Sequence, residues 1–469
     1  MIYEDSTAFD VLAEICSLLN KEDERKCEIS WKTAEEVDVR IVIKKYEGFI
    51  KMVLNSSDNE YKFKKADIEI VNSVLEGLRK ESDIQYVFFH LAIAVEQSLK
   101  AYSGWLNSSV FHAVTPLNRN VDETGIEIFP RTMPFWSLRK SERNREHTLN
   151  SRFKNYMIIR KEDLSPFQLD VYYWNDEGLI DNTEFDCTFS VALTPVMDYA
   201  ELDTSQSTTQ KGNTIIVNGL KNKKAITKRV LDIFDNLYVK KYSIIVFTEC
   251  LGTAEIVDKI KQRMRAHPEV FSLVILPTIC EGEKNTLIVL GPGGAECLRH
   301  NKATPFVQID ADNVERSEQL EYDNHIPVLI TKEFGMMVFP ICAEFLDPGC
   351  YRAMTEVAMA NTIICPSFSP GVQAFADTMI KGTSLKILQF YVNTCSAKEI
   401  SRNKTVAEPL GMVELPYIAQ RGNDQDMPLF KMKKECKDSC CKTLCYFDIM
   451  IMYDKVTEKF SIKTNHCLC

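Results

Sequence analysis

The stretch 334–369, which reads FGMMVFPICAEFLDPGCYRAMTEVAMANTIICPSFS, constrains the fold more than any other part of the chain. Its parts, in order, are an apolar run, a cysteine, a turn, a helical pattern and a second apolar run (Gly335–Ile341, Cys342, Asp347–Gly349, Tyr351–Asn361 and Thr362–Cys365). This order predicts a strand, a sharp turn, a helix and a strand. Open α/β sheets place reactive groups at the carboxyl ends of their strands, which is where Cys342 is expected.

The same alternation runs through the preceding part of the chain. Apolar runs at 213–220, 242–250, 271–279 and 285–294 predict strands, and helical patterns occupy 225–237 and 254–265. Strands that alternate with helices in this way indicate an α/β fold.

A chain of 469 residues is too long for a single core, so two or more domains are expected. The polar stretch TSQSTTQKGN favours a linker over 204–212. Residues 1–203 are then an N-terminal accessory module of unknown role, and residues 213–469 are a second domain with a cysteine-rich tail. Helical patterns at 5–20 and 65–106 and strand patterns at 37–54, 167–174 and 187–196 predict a mixed α/β or α+β module.

The composition of the chain limits the cellular compartment and the kinds of partner that are expected. The net charge of −10 argues against a nucleic-acid partner, and no apolar run approaches the ~18 residues that a membrane-spanning helix requires. Sixteen cysteines without an export signal indicate reduced thiols in a cytoplasmic protein rather than a disulfide framework.

Three residues at or after strand ends fit one mechanism. Glu249 ends the run YSIIVFTE, Lys302 follows the strand and Pro-Gly-Gly turn of NTLIVLGPGG, and Cys342 ends GMMVFPIC. A thiol attacks only as a thiolate, and a desolvated carboxylate can accept its proton. An ammonium group and a backbone N–H after the cysteine, that of Ala343, would stabilise the negative charge that develops on an attacked amide or nitrile. Taken singly, each residue also fits a structural role, as a buried thiol or a solvated charge.

Residues from about 213 to 465 resemble the nitrilase superfamily, the carbon–nitrogen hydrolases. The resemblance lies in five ordered blocks: IIVFTEC, NTLIVLGPGGAECLRHNK, GMMVFPICAEF, NTIICPSFSP and ILQFYVNTCSA. It implies a four-layer α-β-β-α sandwich that pairs into a homodimer or a higher homo-oligomer. It also implies that Glu249 is the base, Lys302 the transition-state stabiliser and Cys342 the nucleophile, with neither a metal nor an organic cofactor.

The resemblance is incomplete at several positions. Thr248 stands where the family usually has proline, and Pro340 interrupts the nucleophile strand. The segment between Lys302 and Cys342 is short for the family, which indicates an altered pocket. Many members have a second glutamate in this segment; Glu315, Glu318 and Glu321 are the candidates, and Glu318 is preferred. Glu344, two residues after the cysteine, matches the family's acidic residue there and is a further supporting candidate.

The tail carries a second cluster of metal-ligand types. Its members are Cys436, Cys440, Cys441, Cys445, His466, Cys467 and Cys469. The spacing admits a structural zinc site, but the adjacent cysteines would crowd one metal, so ordinary reduced thiols are favoured.

The predicted activity is amidase-like hydrolysis of a small-molecule amide or nitrile through a thioester. The alternative is a nitrilase-like sensor or assembly scaffold with little or no catalysis, for example in an antiviral defence system. The preserved Glu249, Lys302 and Cys342 favour the enzyme, whereas Thr248 and Pro340 favour the sensor.

Overall fold

The computed structural model describes residues 3, 6–19, 44–55, 63, 65–80, 84–99, 111–136, 150, 153, 155–196, 200–209, 212–309, 314–321, 323–369, 371–382, 385–394, 409–416, 429–432 and 446–465. The cysteines and the histidine of the tail cluster, for which a zinc site was considered, lie outside the described residues. Among the helices that are described, none is long and apolar enough to cross a membrane.

The described residues form an α/β structure. Its helices are α1 Ala8–Ser17, α2 Glu47–Asn55, α3 Lys65–Leu78, α4 Ile84–Ser98, α5 Val121–Thr124, α6 Lys161–Leu164, α7 Lys223–Val239, α8 Ala254–Ala266, α9 Pro348–Arg352 and α10 Gln373–Gly382. Short 3₁₀ turns occupy Pro292–Gly294 and Cys342–Phe345, and a π-turn, Ala353–Val357, extends α9. The predicted strand pattern at 37–54 is wrong over its second half, because α2 begins at Glu47.

The strands in chain order are β1 His112–Ala113, β2 Ile126–Pro130, β3 Tyr156–Arg160, β4 Gln168–Trp174, β5 Asp181–Asn182, β6 Asp186–Leu193, β7 Leu202–Thr209, β8 Gly212–Leu220, β9 Ile244–Val246, β10 Leu273–Ile275, β11 Ile279–Glu281, β12 Lys284–Leu290, β13 Glu296–Asn301, β14 Val307–Ile309, β15 Glu315–Glu318, β16 His325–Thr331, β17 Gly335–Val338, β18 Thr362–Ser367, β19 Leu388–Asn393, β20 Gly411–Glu414, β21 Leu429–Met432, β22 Phe447–Asp454 and β23 Lys459–Asn465.

Two large sheets dominate the described part of the chain. One has eight strands in the order β1-β4-β16-β17-β18-β19-β20-β21. The other has nine strands, with β11-β12-β10-β9-β6-β22-β23 in sequence, β13 added beside β12 and β5 beside β6. Smaller sheets are β14-β15-β8-β7 and the ribbon β2-β3.

Alternating side chains of the nine-stranded sheet divide between two cores. On β9, Ile244 and Val246 pack with residues of the eight-stranded sheet, whereas Ile245 packs with α7 and α8. This division follows from the two-residue period of a strand. α10 contributes Phe375 to the core shared by both sheets. The nine-stranded sheet is therefore covered on both faces, and the polar chemistry is left to its strand ends.

The structure corrects the predicted linker and the boundary drawn from it. Residues 204–209 belong to β7, which pairs antiparallel with β8 along its whole length. β4 lies parallel to β16, and β6 lies between β9 and β22, although both precede the predicted boundary at 203. A polar exposed hairpin has the composition of a linker, and strand pairing between distant segments leaves no local pattern.

The residues before β4 include a separate helical core. α1 to α4 pack together with one face of the β2-β3 ribbon, which contributes Ile126, Ile128 and Ile158. The other face of the ribbon, with Phe129 and Met157, packs into the core of the two large sheets. The β2-β3 ribbon thus joins the helical core of α1–α4 to the core of the two large sheets.

Candidate active site

Glu249, Lys302 and Cys342 are brought together although they lie on different strand ends. Glu249 follows β9, Lys302 follows β13, and Cys342 begins the 3₁₀ turn after β17. All three are 2% exposed.

Lys302 is the centre of the charged cluster. Its Nζ atom donates hydrogen bonds to Glu249 Oε1 at 2.8 Å and to Glu318 Oε2 at 2.7 Å. Burial alone disfavours the ammonium form, but the carboxylates of Glu249 and Glu318 outweigh it, and the pKa of Lys302 is raised well above its usual range. Lys302 is therefore a fixed positive charge at neutral pH.

Of the three candidate glutamates between the lysine and the cysteine, Glu318 is the one that contacts Lys302. Its Oε2 atom also accepts a hydrogen bond from Phe306 N at 3.0 Å. Glu315 is exposed on β15, and Glu321 pairs with Lys284 at 2.9 Å. Glu318 ends β15, whose neighbour β8 pairs in turn with β7, the strand that occupies most of the predicted linker.

Glu249 is held by three donors. Its Oε1 accepts from Asn285 Nδ2 at 2.9 Å as well as from Lys302, and its Oε2 accepts from Phe368 N at 2.8 Å. Burial raises the pKa of Glu249 above its usual value, and the positive charge of Lys302 only partly opposes this. A carboxylate with a raised pKa is a better proton acceptor than an ordinary glutamate, which suits a general base.

Cys342 has the backbone conformation of a strained turn. Its φ is +47°, a region that non-glycine residues adopt at a cost of about 1–3 kcal/mol. Ser367 Oγ donates to its sulfur at 3.1 Å. Burial first, and the charge of Glu249 second, raise the pKa of Cys342 to about 12, so the resting group is a thiol.

A second buried pair lies beside the first. Glu344 accepts hydrogen bonds from His300 Nε2 at 2.9 Å, from Ala303 N at 2.5 Å and from Ile341 N at 2.6 Å. Ala303 follows Lys302 and Ile341 precedes Cys342, so this carboxylate ties the lysine loop to the cysteine turn. Burial alone lowers the pKa of His300, but the charge and hydrogen bond of Glu344 outweigh it, and the pKa is raised.

Sequence reasoning missed Asn285, His300 and Ser367. All three lie within blocks that carry the family resemblance or adjoin them, yet asparagine, histidine and serine at strand ends have many ordinary roles. Ala343 lies half-buried in the 3₁₀ turn, and its carbonyl accepts from Leu346 N and Asp347 N at 3.0 Å each. The role of its own N–H group stays a prediction.

The class that fold and site define is an α/β protein with a buried glutamate–lysine–cysteine cluster at its strand ends. Such a cluster can deprotonate a thiol, attack an electrophilic carbon and neutralise the oxyanion that results. Among the described residues, no group of three or more His, Cys, Asp or Glu side chains has the arrangement of a metal site.

Comparisons with known proteins give similarity in structure alone. No model of a protein family matches the chain, and no curated protein matches it. An amidase from Nesterenkonia sp. superposes with a TM-score of 0.33 at 13% identity over 49% of this chain and 82% of the amidase. The Caenorhabditis elegans NitFhit protein gives a TM-score of 0.33 at 12% identity over 49% of this chain and 56% of that protein. A variant of the Nesterenkonia sp. AN1 amidase, with the acetamide moiety of fluoroacetamide covalently added at its active-site cysteine, gives 0.32 at 12% identity over 49% of this chain and 82% of the variant. At this level of similarity the superpositions do not assign the chain to a family.

Proposed function

We propose that the chain is a carbon–nitrogen hydrolase that cleaves small-molecule amides through a thioester on Cys342. The observation that carries this function is the buried ammonium of Lys302, bonded to Glu249 and Glu318 beside the Cys342 thiol. The two large sheets and their covering helices are then the four layers of a nitrilase-type α-β-β-α sandwich.

In the first half-reaction Glu249 takes the thiol proton while the Cys342 sulfur bonds to the amide carbon. The carbonyl oxygen becomes an oxyanion, which the Lys302 ammonium and the N–H of Ala343 stabilise. Each such donor contributes about 3 kcal/mol to lowering the barrier. Collapse of this intermediate breaks the C–N bond, and the leaving amine takes the proton from Glu249.

In the second half-reaction water attacks the thioester. Glu249 removes a proton from the water, and the sulfur of Cys342 leaves and regains that proton. The products are a carboxylic acid and ammonia or an amine. A nitrile is a possible second substrate of the same site, but amides are the commoner cellular C–N bond.

The protonated resting state of Cys342 agrees with a mechanism in which Glu249 removes the thiol proton only while the sulfur attacks. With its pKa near 12, Cys342 carries its proton at neutral pH, so proton transfer to Glu249 accompanies bond formation. Ser367 donates its hydroxyl hydrogen to the sulfur, and this hydrogen bond lowers the pKa of Cys342 against the larger effect of burial.

Ammonia release from a panel of primary amides tests this function, with the Cys342→Ala variant as the matched control. We expect release by the wild-type protein and none above background by the variant. Brief labelling with iodoacetamide needs no substrate: Cys342 rests as a thiol, so its alkylation depends on proton transfer to Glu249, and Glu249→Gln should slow labelling at Cys342 while leaving the other thiols unchanged. Equal labelling rates at Cys342 in the folded wild-type protein and in folded Glu249→Gln would contradict the proposal.

One observation favours the alternative function as a sensor or scaffold. The β2-β3 ribbon packs on the helical core with one face and on the core of the two large sheets with the other. A conformational change at the site can therefore be transmitted to α1–α4 through packed side chains. If candidate metabolites change the size-exclusion behaviour of the Cys342→Ala variant as much as that of the wild type, binding without catalysis is the better description.

A further inference from the structure

Two cysteines outside the proposed reaction lie in direct contact. The sulfur atoms of Cys250 and Cys280 are 3.1 Å apart. The segments that carry them are joined by three hydrogen bonds: Cys250 N to Thr278 Oγ1 at 2.8 Å, Gly252 N to Thr278 O at 2.8 Å and Thr278 N to Thr248 O at 3.2 Å. These hydrogen bonds hold the two segments, and therefore the two sulfur atoms, close together.

We propose that Cys250 and Cys280 form an oxidisable dithiol, a modification site that peroxide converts into an intramolecular disulfide. A disulfide has a sulfur–sulfur distance of about 2.05 Å, so the two atoms need to approach by only about 1 Å. The proposed nucleophile Cys342 instead contacts Ser367, and Cys187 contacts Asn182. Both of those thiols are buried, but neither contact offers a second sulfur.

The chemistry balances with hydrogen peroxide as the oxidant. In the first step the Cys250 thiol and peroxide give a sulfenic acid and one water. In the second step the Cys280 sulfur attacks the sulfenic sulfur, the S–S bond forms and a second water leaves. Two protons and two electrons are lost from the protein, and peroxide is reduced to two waters. Because Cys280 is already in contact, the sulfenic acid is captured before further oxidation.

Access and protonation set the rate of the first step. Cys250 is 5% exposed and Cys280 is 2% exposed, so a small oxidant at Cys250 is the favoured entry. The hydrogen bond with Cys280 and burial raise the pKa of Cys250 well above its usual range. Because the thiolate is the reactive form, we expect oxidation to be slow at neutral pH and faster in alkaline solution.

The disulfide would act on the neighbouring base, a consequence that rests on the proposed function. Cys250 directly follows Glu249 and has a φ of +63°, so its backbone has little freedom to absorb the sulfur movement alone. A displacement near 1 Å of a catalytic group can lower the rate by roughly a hundredfold. We therefore expect the oxidised protein to lose most of its activity and to recover it on reduction.

Peptide mapping of the full chain tests the modification without any substrate. Reduced protein is treated with hydrogen peroxide at neutral and at alkaline pH, and remaining thiols are blocked with N-ethylmaleimide under denaturing conditions. Trypsin then releases peptides 242–259 and 266–284, each of which contains a single cysteine. A disulfide-linked pair of these peptides, two hydrogens lighter than their sum and separated by dithiothreitol, identifies the bond.

The controls are two cysteine substitutions. The linked pair is expected in the wild type and in Cys187→Ala, which removes another buried thiol, and is expected to be missing in Cys280→Ala. If peroxide oxidises Cys342 while peptides 242–259 and 266–284 both carry N-ethylmaleimide, the proposal is overturned. Oxidation of Cys250 to a sulfinic acid without linkage would overturn it equally.

A second readout separates this proposal from the proposed function. The rate of iodoacetamide labelling at Cys342 is compared between peroxide-treated wild type and equally treated Cys280→Ala. A lower rate in the wild type alone supports the effect on the site, and equal rates limit the proposal to the disulfide itself. Failure of the reduced protein to hydrolyse any amide would count against the hydrolase and leave the peptide result intact.

Discussion

Glu249 and Glu344 are two carboxylates with nearly equal burial and different surroundings. They are 2% and 1% exposed, and each follows a strand of a large sheet. Glu344 accepts from backbone N–H groups on both sides and from His300, so its contacts join elements of the fold. Glu249 accepts from Phe368 N, from Asn285 and from Lys302, so its charged partner is a lysine rather than a histidine. Burial of a carboxylate therefore does not by itself indicate catalysis, and the identity of the donors separates the two cases.

The largest expected effect on rate is that of Glu249→Gln. Glutamine keeps the volume, and its one oxygen can still accept from Lys302 and Asn285, but its amide nitrogen cannot accept from Phe368 N and the side chain cannot take a proton from Cys342. General-base catalysis contributes roughly 10²–10⁴-fold, so kcat/KM for amide hydrolysis should fall by that factor. Steady-state ammonia release measures this, with Glu255→Gln as control because Glu255 is exposed on α8 and pairs with Lys259 at 2.7 Å. Unchanged kcat/KM in a folded Glu249→Gln protein would remove Glu249 from the mechanism.

Glu344→Gln should act mainly on stability. It leaves the His300 imidazolium buried beside a neutral amide, and breaking a buried ion pair costs about 3–5 kcal/mol. Urea denaturation measures the loss in the free energy of unfolding. The matched control is Glu296→Gln on β13, whose carboxylate is 29% exposed and pairs with Lys261 and Arg299 at the surface. Such surface pairs contribute at most about 1 kcal/mol. Equal losses for the two variants would mean that the buried pair of Glu344 and His300 stabilises the fold no more than a surface pair does.

A smaller effect is expected from pH, and it sharpens the role of His300. Its folded pKa lies above the ordinary value of 6.5, so its bond to Glu344 stabilises the fold fully below that value. This contribution should be lost as pH rises from 6.5 through the raised folded pKa. We expect the free energy of unfolding to fall over that window in the wild type and to change less in His300→Asn. Parallel pH profiles for the two proteins would mean that His300 is neutral in the folded protein over this pH range, which would contradict the prediction.

The sequence could locate the site residues whose own strand has a recognisable apolar pattern. Glu249 and Cys342 end runs of apolar residues, so a local pattern located both of them, whereas Lys302 was selected by the order Glu, Lys, Cys and by the family resemblance. Asn285 and Ser367 became visible only when β12 was placed in the same sheet as β9, and β18 beside β17, since nothing in their own neighbourhoods marks them. Glu318 is an intermediate case: the sequence offered three glutamates, and their distances from Lys302 separated them.

The sequence by itself determined the α/β class, the order of strands and helices from residue 213 to about 290, and the residue types available for thiol chemistry. These follow from periods of two and 3.6 residues and from the chemistry of single side chains, which are local properties. Only the tertiary structure decided that β4 and β6 belong to the large sheets, that residues 204–209 form a strand, and that Cys250 meets Cys280. Each of these depends on pairing between segments far apart in the chain, and the stabilisation that pairing provides is absent from any window of sequence read alone.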